Sequence, residues 1–180
     1  MGSHLVTLRP LRDPFESAAD YRSRLKGRLL HQALYFARTV EDFKRPQTLV
    51  KKAFYSLGEH MARWDIEDTF IRPLMALYEI DEIETFFPQV GVAEVYRERE
   101  FLVPTSDQGF HILRPDRVVV YQDSAIVVEF KTEERGATTY KKHERQVITY
   151  QNIVKKSFKL PVSSYLLYLQ PPHVVRVSIE

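Results

Sequence analysis

Residues 114–131 read Arg-Pro-Asp-Arg-Val-Val-Val-Tyr-Gln-Asp-Ser-Ala-Ile-Val-Val-Glu-Phe-Lys. Two runs rich in Val and Ile flank the polar residues Gln122, Asp123 and Ser124, which is the pattern of two strands joined by a tight turn. A two-residue turn, at Gln122-Asp123 or at Asp123-Ser124, pairs even positions of the first strand with odd positions of the second. Asp116, Glu129 and Lys131 then share one face at the open end of the hairpin. Behind them lies an apolar ribbon of Val118, Val119, Val120, Ile126, Val127 and Val128. Two carboxylates that close repel each other unless a cation lies between them, and hard oxygen ligands suit Mg²⁺ or Mn²⁺. The grouping predicts a metal site for phosphoryl chemistry. The plain alternative is a turn at Pro115-Asp116 with a solvated Glu129/Lys131 pair on an edge strand. Against it, Glu129 directly follows Ala-Ile-Val-Val, and a charge at the end of a buried strand is rarely left unpaired. Asp123 sits in the turn, where Asp bonds locally to backbone, and carries no predicted chemistry.

The rest of the chain divides by period. Asp13-Pro14 and Ser17 offer a helix start, and a stripe of Leu25, Leu29, Ala33 and Ala37 keeps helical period to about residue 40. A second helix is expected over 46–63, with Gly58 inside the pattern weakening its continuity. An acidic helical stretch follows over about 67–87, with a possible restart at Pro73. Then strands are expected at 94–103, in the hairpin after a Gln108-Gly109 turn, at 162–169, and at 174–179 after Pro171-Pro172. A helix at 138–158 separates the hairpin from the last strands. Both faces of the hairpin are apolar, so the sheet must be covered on both sides, by the 138–158 helix and by the N-terminal helices. The expected architecture is α/β, a mixed sheet flanked by helices, in one domain over residues 5–180. Its helical part spans 5–90 and its sheet-containing core 91–180. Met1-Gly2-Ser3-His4 looks like an expression-vector remnant.

The hairpin resembles the core of the PD-(D/E)XK nuclease superfamily, with Pro115-Asp116 as one half-motif and Glu129-Phe130-Lys131 as the other. The flanks sharpen the likeness to its RecB and AddA branch. Lys26-Gly27-Arg28-Leu29-Leu30-His31 resembles that branch's Gly-x-x-x-His helix, and Arg97-Glu98-Arg99-Glu100-Phe101 its Arg-Glu-x-x-Phe strand. Gln146-Val147-Ile148-Thr149-Tyr150 resembles its Gln-x-x-x-Tyr helix. These motifs follow the family's order across about residues 20 to 170. The resemblance implies a restriction-endonuclease-like core with an N-terminal helical region.

It also implies roles. Asp116 and Glu129 would hold one or two divalent ions, and His31 would join them as a metal ligand. An imidazole is unusual for Mg²⁺ and comfortable for Mn²⁺, so Mn²⁺ should serve at least as well. Lys131 would position and help deprotonate the attacking water, or stabilise the charged transition state; the adjacent carboxylates favour the second role. Glu98 would be the additional acidic residue, with Glu100 at the same strand parity as its substitute. Gln146 and Tyr150, one helical turn apart, and Lys142 one turn earlier would hold a DNA backbone without reading bases. Gly27 would let a backbone or phosphate approach closely.

Composition narrows the field. The 180 residues contain no cysteine, which excludes disulfides, thiolate zinc sites and the iron–sulfur cluster that several superfamily members carry. Net charge is only +2, but its distribution is uneven. Residues 1–58 carry 11 basic and 5 acidic side chains and residues 131–159 carry 8 and 3, whereas residues 59–100 carry 4 and 11. Positive charge therefore gathers in the segments that hold His31 and the Lys131-to-Tyr150 region, as a phosphate binder requires. The other reading of Lys141-Lys142 and Lys155-Lys156 is a solvated helix face. No apolar run is long enough to span a bilayer and no secretory signal is visible.

The expected function is a metal-dependent DNA exonuclease domain, the nuclease module of a RecB- or AddA-like helicase–nuclease in recombinational repair. Its setting would be cytoplasmic and nucleoid-associated, and its start so near the first motif suits a domain cut from a longer protein. No Walker A loop is present, so a helicase partner would lie on another segment or chain. The alternatives are a stand-alone endonuclease of a restriction or phage system and a scaffold that binds DNA without cutting. A glycosidase-like carboxylate pair fits less well beside Lys131.

Overall fold

The computed structural model describes residues 17–105, 109–132 and 136–178. Met1-Gly2-Ser3-His4, Asp13-Pro14, Gln108 of the expected turn and Ile179 of the expected last strand lie outside these. Helix α1 (Ala18–Phe36) begins where Ser17 caps it, the hydroxyl accepting from the Asp20 backbone N–H at 3.1 Å. Its apolar stripe, Leu25, Leu29, Leu30, Ala33 and Leu34, is buried. The helix stops before residue 40, because Val40–Lys44 tightens into a 3₁₀ turn opened by a Thr39/Asp42 capping box. Helix α2 (Pro46–Leu57) has proline in its first turn and ends at Gly58, whose φ of 65° lets the backbone turn left-handed. The helix expected over 46–63 is thus cut short by its glycine.

A π-helical turn (Glu67–Ile71) leads into α3 (Arg72–Tyr78), and α4 (Ile83–Phe86) is a separate short piece. The expected strand over 94–103 is two strands, β1 (Glu94–Arg97) and β2 (Phe101–Pro104). They are parted at Glu98, whose φ of 49° no strand can carry. Strand β3 (Phe110–Leu113), absent from the expected pattern, pairs with β2 to form a separate antiparallel ribbon. Strands β4 (Arg117–Val120) and β5 (Ala125–Lys131) form the expected hairpin. Helix α5 (Ala137–Phe158), β6 (Val162–Leu169) and β7 (Pro172–Val177) complete the chain.

The main sheet has the order β1-β4-β5-β6-β7, with β5 and β6 parallel and every other neighbouring pair antiparallel. Helix α5 is the crossover that a parallel pair requires. The sheet is mixed and covered on both faces. Val118 and Val127 pack with Tyr150 and Val154 of α5, while Val119, Ile126, Val128 and Phe130 pack with the N-terminal helices. Among the described residues no helix is long and apolar enough to cross a membrane.

One buried group ties the two halves together. Arg117 is fully buried, and among the described residues no carboxylate bonds to it, although the charge of Asp42 favours it from nearby. Its Nε donates to the Phe86 carbonyl at 2.7 Å, and its guanidinium nitrogens donate to Ala37 at 3.1 Å and Arg38 at 3.0 Å. The guanidinium carbon lies 3.9 Å from the centre of the Phe87 ring. Three carbonyl dipoles, two of them just past the C-terminal end of α1, stand in for a counter-ion. Burial, and then the nearby Arg97, hold Arg117 down to about 9, yet it remains charged at neutral pH.

Candidate active site

The turn of the hairpin is Gln122-Asp123, closed by the Tyr121 N–H donating to the Ser124 carbonyl at 2.8 Å. The register pairs Arg117 with Val128, so the next position outward sets Asp116 opposite Glu129. Both carboxylates therefore meet at the end of the sheet, on the face that α5 covers. The Glu129 Oε2 accepts from the Asp116 N–H at 3.3 Å, and the Asp116 Oδ2 accepts from the Phe130 N–H at 2.8 Å. These two bonds cross-link the strand ends and fix both side chains.

The helices supply the remaining groups from opposite sides. From α1, His31 brings Nδ1 to 3.5 Å from Asp116 Oδ1, with its ring edge-on to Phe130. From α5, Gln146 donates through Nε2 to Glu129 Oε1 at 2.9 Å and to the Tyr150 hydroxyl at 3.0 Å. Lys131 Nζ donates to Glu129 Oε1 at 3.1 Å and to Gln146 Oε1 at 2.9 Å. Side-chain exposure falls from 31% at His31 through 17% at Asp116 and 14% at Lys131 to 5% at Glu129, so the site opens on the His31 side.

Electrostatics follow from that gradient. Burial, then the charge of Asp116, push Glu129 up to about 7; Lys131 opposes the shift without cancelling it. Burial disfavours the His31 imidazolium, but the bond to Asp116 and the charges of Asp116 and Glu129 outweigh it and raise His31 overall. Two carboxylates thus share too little positive charge. An imidazole and two carboxylates are a donor set that fits a hard or borderline divalent ion, with Asp116, Glu129 and His31 as the residues that would hold it. The three are not drawn into a closed cage, and among the described residues no group of three or more His, Asp and Glu side chains forms one.

Other expected residues are placed differently. Glu98 lies on the open side and lines a groove of about 840 Å³ together with His31, Gly27 and Arg114. Its N–H donates to the Asp116 carbonyl at 3.0 Å, so Glu98 borders the site through its backbone. Glu100 points instead to Arg114, 3.9 Å away. A Cβ at Gly27 would lie 3.1 Å from Thr132 Oγ1; this glycine makes room for the residue just beyond β5. Gln146 spends its amide on Glu129, Lys131 and Tyr150, and the Tyr150 ring is buried. Only Lys142 presents its charge outward, beside Lys141 and Arg145. The groove also gathers Arg24, Arg28 and Arg114, which no sequence motif singled out. The spacing of Arg24 and Arg28 along α1, i and i+4, was the available signal; Arg114, between β3 and β4, offered none.

Gln146→Ala should release Lys131 and Glu129 and weaken the site's hold on a divalent ion by roughly 10- to 100-fold in calorimetric titration, in line with the usual effect of removing a group that orients ligands. Wild-type affinity in Gln146→Ala would show the amide to be a packing element.

No family model matches the chain, and no curated protein matches it in sequence. Among solved structures, a presumed exonuclease from Eubacterium rectale aligns with a TM-score of 0.46 at 11% identity, covering 82% of this chain. The chain spans 59% of that protein's length.

Proposed function

We propose that this chain is a divalent-metal-dependent nuclease that hydrolyses phosphodiester bonds in DNA, an exonuclease module of the kind found in RecB- and AddA-like helicase–nucleases. The observation that carries this reading is the placement of Asp116 opposite Glu129 at the sheet end, with Lys131 on Glu129 and His31 on Asp116. A bound Mg²⁺ or Mn²⁺ would supply polarisation of the phosphate and a lowered pKa for an attacking water. The chain's own groups do the rest. Lys131, held by Glu129 and Gln146, places a positive charge where the phosphate gains negative charge. Asp116 is fixed by the Phe130 N–H, and the open side at His31 admits the strand. Arginines of α1 and Arg114 attract its backbone without reading its bases. A helicase on another segment or chain, and a cytoplasmic, nucleoid-associated setting, belong to the same proposal.

The test pairs calorimetric Mn²⁺ titration with a gel assay on end-labelled single- and double-stranded DNA in Mg²⁺, Mn²⁺ or EDTA. Wild-type protein should cut in Mn²⁺ and not in EDTA. Asp116→Ala and His31→Ala should lose both cleavage and most Mn²⁺ affinity while keeping their circular dichroism spectra. Unchanged Mn²⁺ affinity in Asp116→Ala would remove the metal site, and with it the reading.

A further inference from the structure

The β2–β3 ribbon leaves the main sheet beside Asp116, and its two faces differ. One face is spent on the core: Phe101 is buried against Tyr150 and Val118, with Leu113 packed beside it. The register pairs Leu102 with Ile112 and Pro104 with Phe110, so these four share the other face. That face is apolar and open, with Leu102 61%, Ile112 59% and Phe110 64% exposed. Continuing the same register one step toward the sheet pairs Glu100 with Arg114, the ion pair at 3.9 Å. Arg114 therefore belongs to the apolar face, and Arg114 also lines the groove that holds His31. The apolar face is continuous with the groove.

We infer that this face is an apolar platform for unpaired bases, with Phe110 its one stacking ring: a single-stranded nucleic-acid end enters the groove along Leu102, Phe110 and Ile112, with its phosphates on Arg24, Arg28 and Arg114. The inference rests on the nuclease reading for the identity of the ligand. The pairing of an apolar row with arginines at its inner end matches the two-part chemistry of a nucleotide chain, an apolar ring on a charged backbone. A two-fold contact between copies of the chain would instead set this arginine rim against its own like charges. A base-paired end would have to unstack to use the platform, which an apolar wedge favours. The platform also reports to the catalytic residues, because Phe101 on its back packs on Tyr150, whose hydroxyl receives the Gln146 amide.

The experiment measures fluorescence anisotropy of a short labelled oligothymidylate on the full chain in Ca²⁺ across a salt series, beside an abasic sugar–phosphate chain of the same length. Phe110→Ala/Ile112→Ser should weaken oligothymidylate binding by about tenfold or more. The salt slope should stay at its wild-type value, because no phosphate contact is lost. Val90→Ser, which removes exposed apolar area elsewhere, should bind as wild type. The abasic chain should bind the double variant and wild type equally. Leu102→Ser repeats the test should the double variant misfold by circular dichroism. Equal binding of oligothymidylate, or an equal loss with the abasic chain, overturns the platform. A wild-type dimer that the double variant converts to monomer would show the face to be an interface between copies. Binding with these signatures but no Mn²⁺-dependent cleavage would remove the nuclease reading and leave the platform standing.

Discussion

At pH 8 in EDTA, Glu129→Gln is expected to be more heat-stable than the wild-type chain, and on the proposed nuclease reading to be inactive when metal is restored. Burial, then Asp116, raise the Glu129 carboxyl from 4.5 to about 7. A gap of that size corresponds to roughly 3 kcal/mol between protonation states. The sign is set by which state holds the proton more tightly. Here the folded chain does, so folding is unpenalised below the unfolded value near 4.5. Stability then falls as pH rises and the full penalty is reached above about 7. A neutral amide escapes this penalty and loses part of the bonding to Lys131, leaving a net gain of roughly 1–3 kcal/mol. For a chain of this size that is a rise in Tm of roughly 2–10 °C. The advantage should shrink toward zero by pH 5. Saturating Mn²⁺ should reverse the ranking, because binding stabilises only the chain that holds the ion. Calorimetric melts at pH 5 and pH 8, with EDTA or Mn²⁺, read all of this. A variant less stable than wild type at pH 8 in EDTA would show that the carboxylate is already satisfied as an anion, with no need of a cation.

Arg117→Met should produce the largest loss of stability of any single change considered. The methionine fills some of the volume but leaves the carbonyls of Phe86, Ala37 and Arg38 buried without their donors. Breaking a buried charged network of this kind costs about 3–5 kcal/mol, which lowers Tm by roughly 10 °C or more. Arg117→Lys should recover little, since one ammonium cannot reproduce a planar fork aimed at three carbonyls. A second effect follows from position. Arg117 is adjacent to Asp116 and anchors the end of the helix that carries His31, so Mn²⁺ affinity should weaken even where the variant remains folded. Urea melts and Mn²⁺ titration of the folded fraction provide the check. Stability within 1 kcal/mol of wild type would mean that the carbonyls find water once the guanidinium is gone.

Much of this molecule was legible without coordinates, for reasons that are local. Strand period and a two-residue turn put Asp116, Glu129 and Lys131 on one face whichever of the two turns is used, because side chains alternate strictly along a paired strand. The Gln122-Asp123 turn then set Asp116 opposite Glu129. Val118 and Val127 on one face and Val119 and Ile126 on the other required cover on both sides, and α5 and the N-terminal helices provide it. Val162–Leu169 reads directly as a strand for the same reason. Where the local signal was ambiguous the expectation strayed. Gly58 ended α2 rather than merely weakening it, and Glu98 broke a run whose composition looked like one strand.

The sequence by itself, then, determined the mixed sheet, the shared face of the hairpin groups and the set of groups at the sheet end, since each depends on residues near one another in the chain. Which of two turns, and so which register, was decided by the fold. Only the tertiary structure decided how those groups are held. Arg117 takes its partners from residues 31, 79 and 80 positions away, and no spacing rule connects them. Gly27 proved to answer to Thr132 across the fold, and Gln146 to Lys131 and Glu129. The apolar face of the β2–β3 ribbon joins the His31 groove only because the chain turns at Glu98. Burial and long-range contact create these relations, and neither is encoded in the period of a strand or a helix.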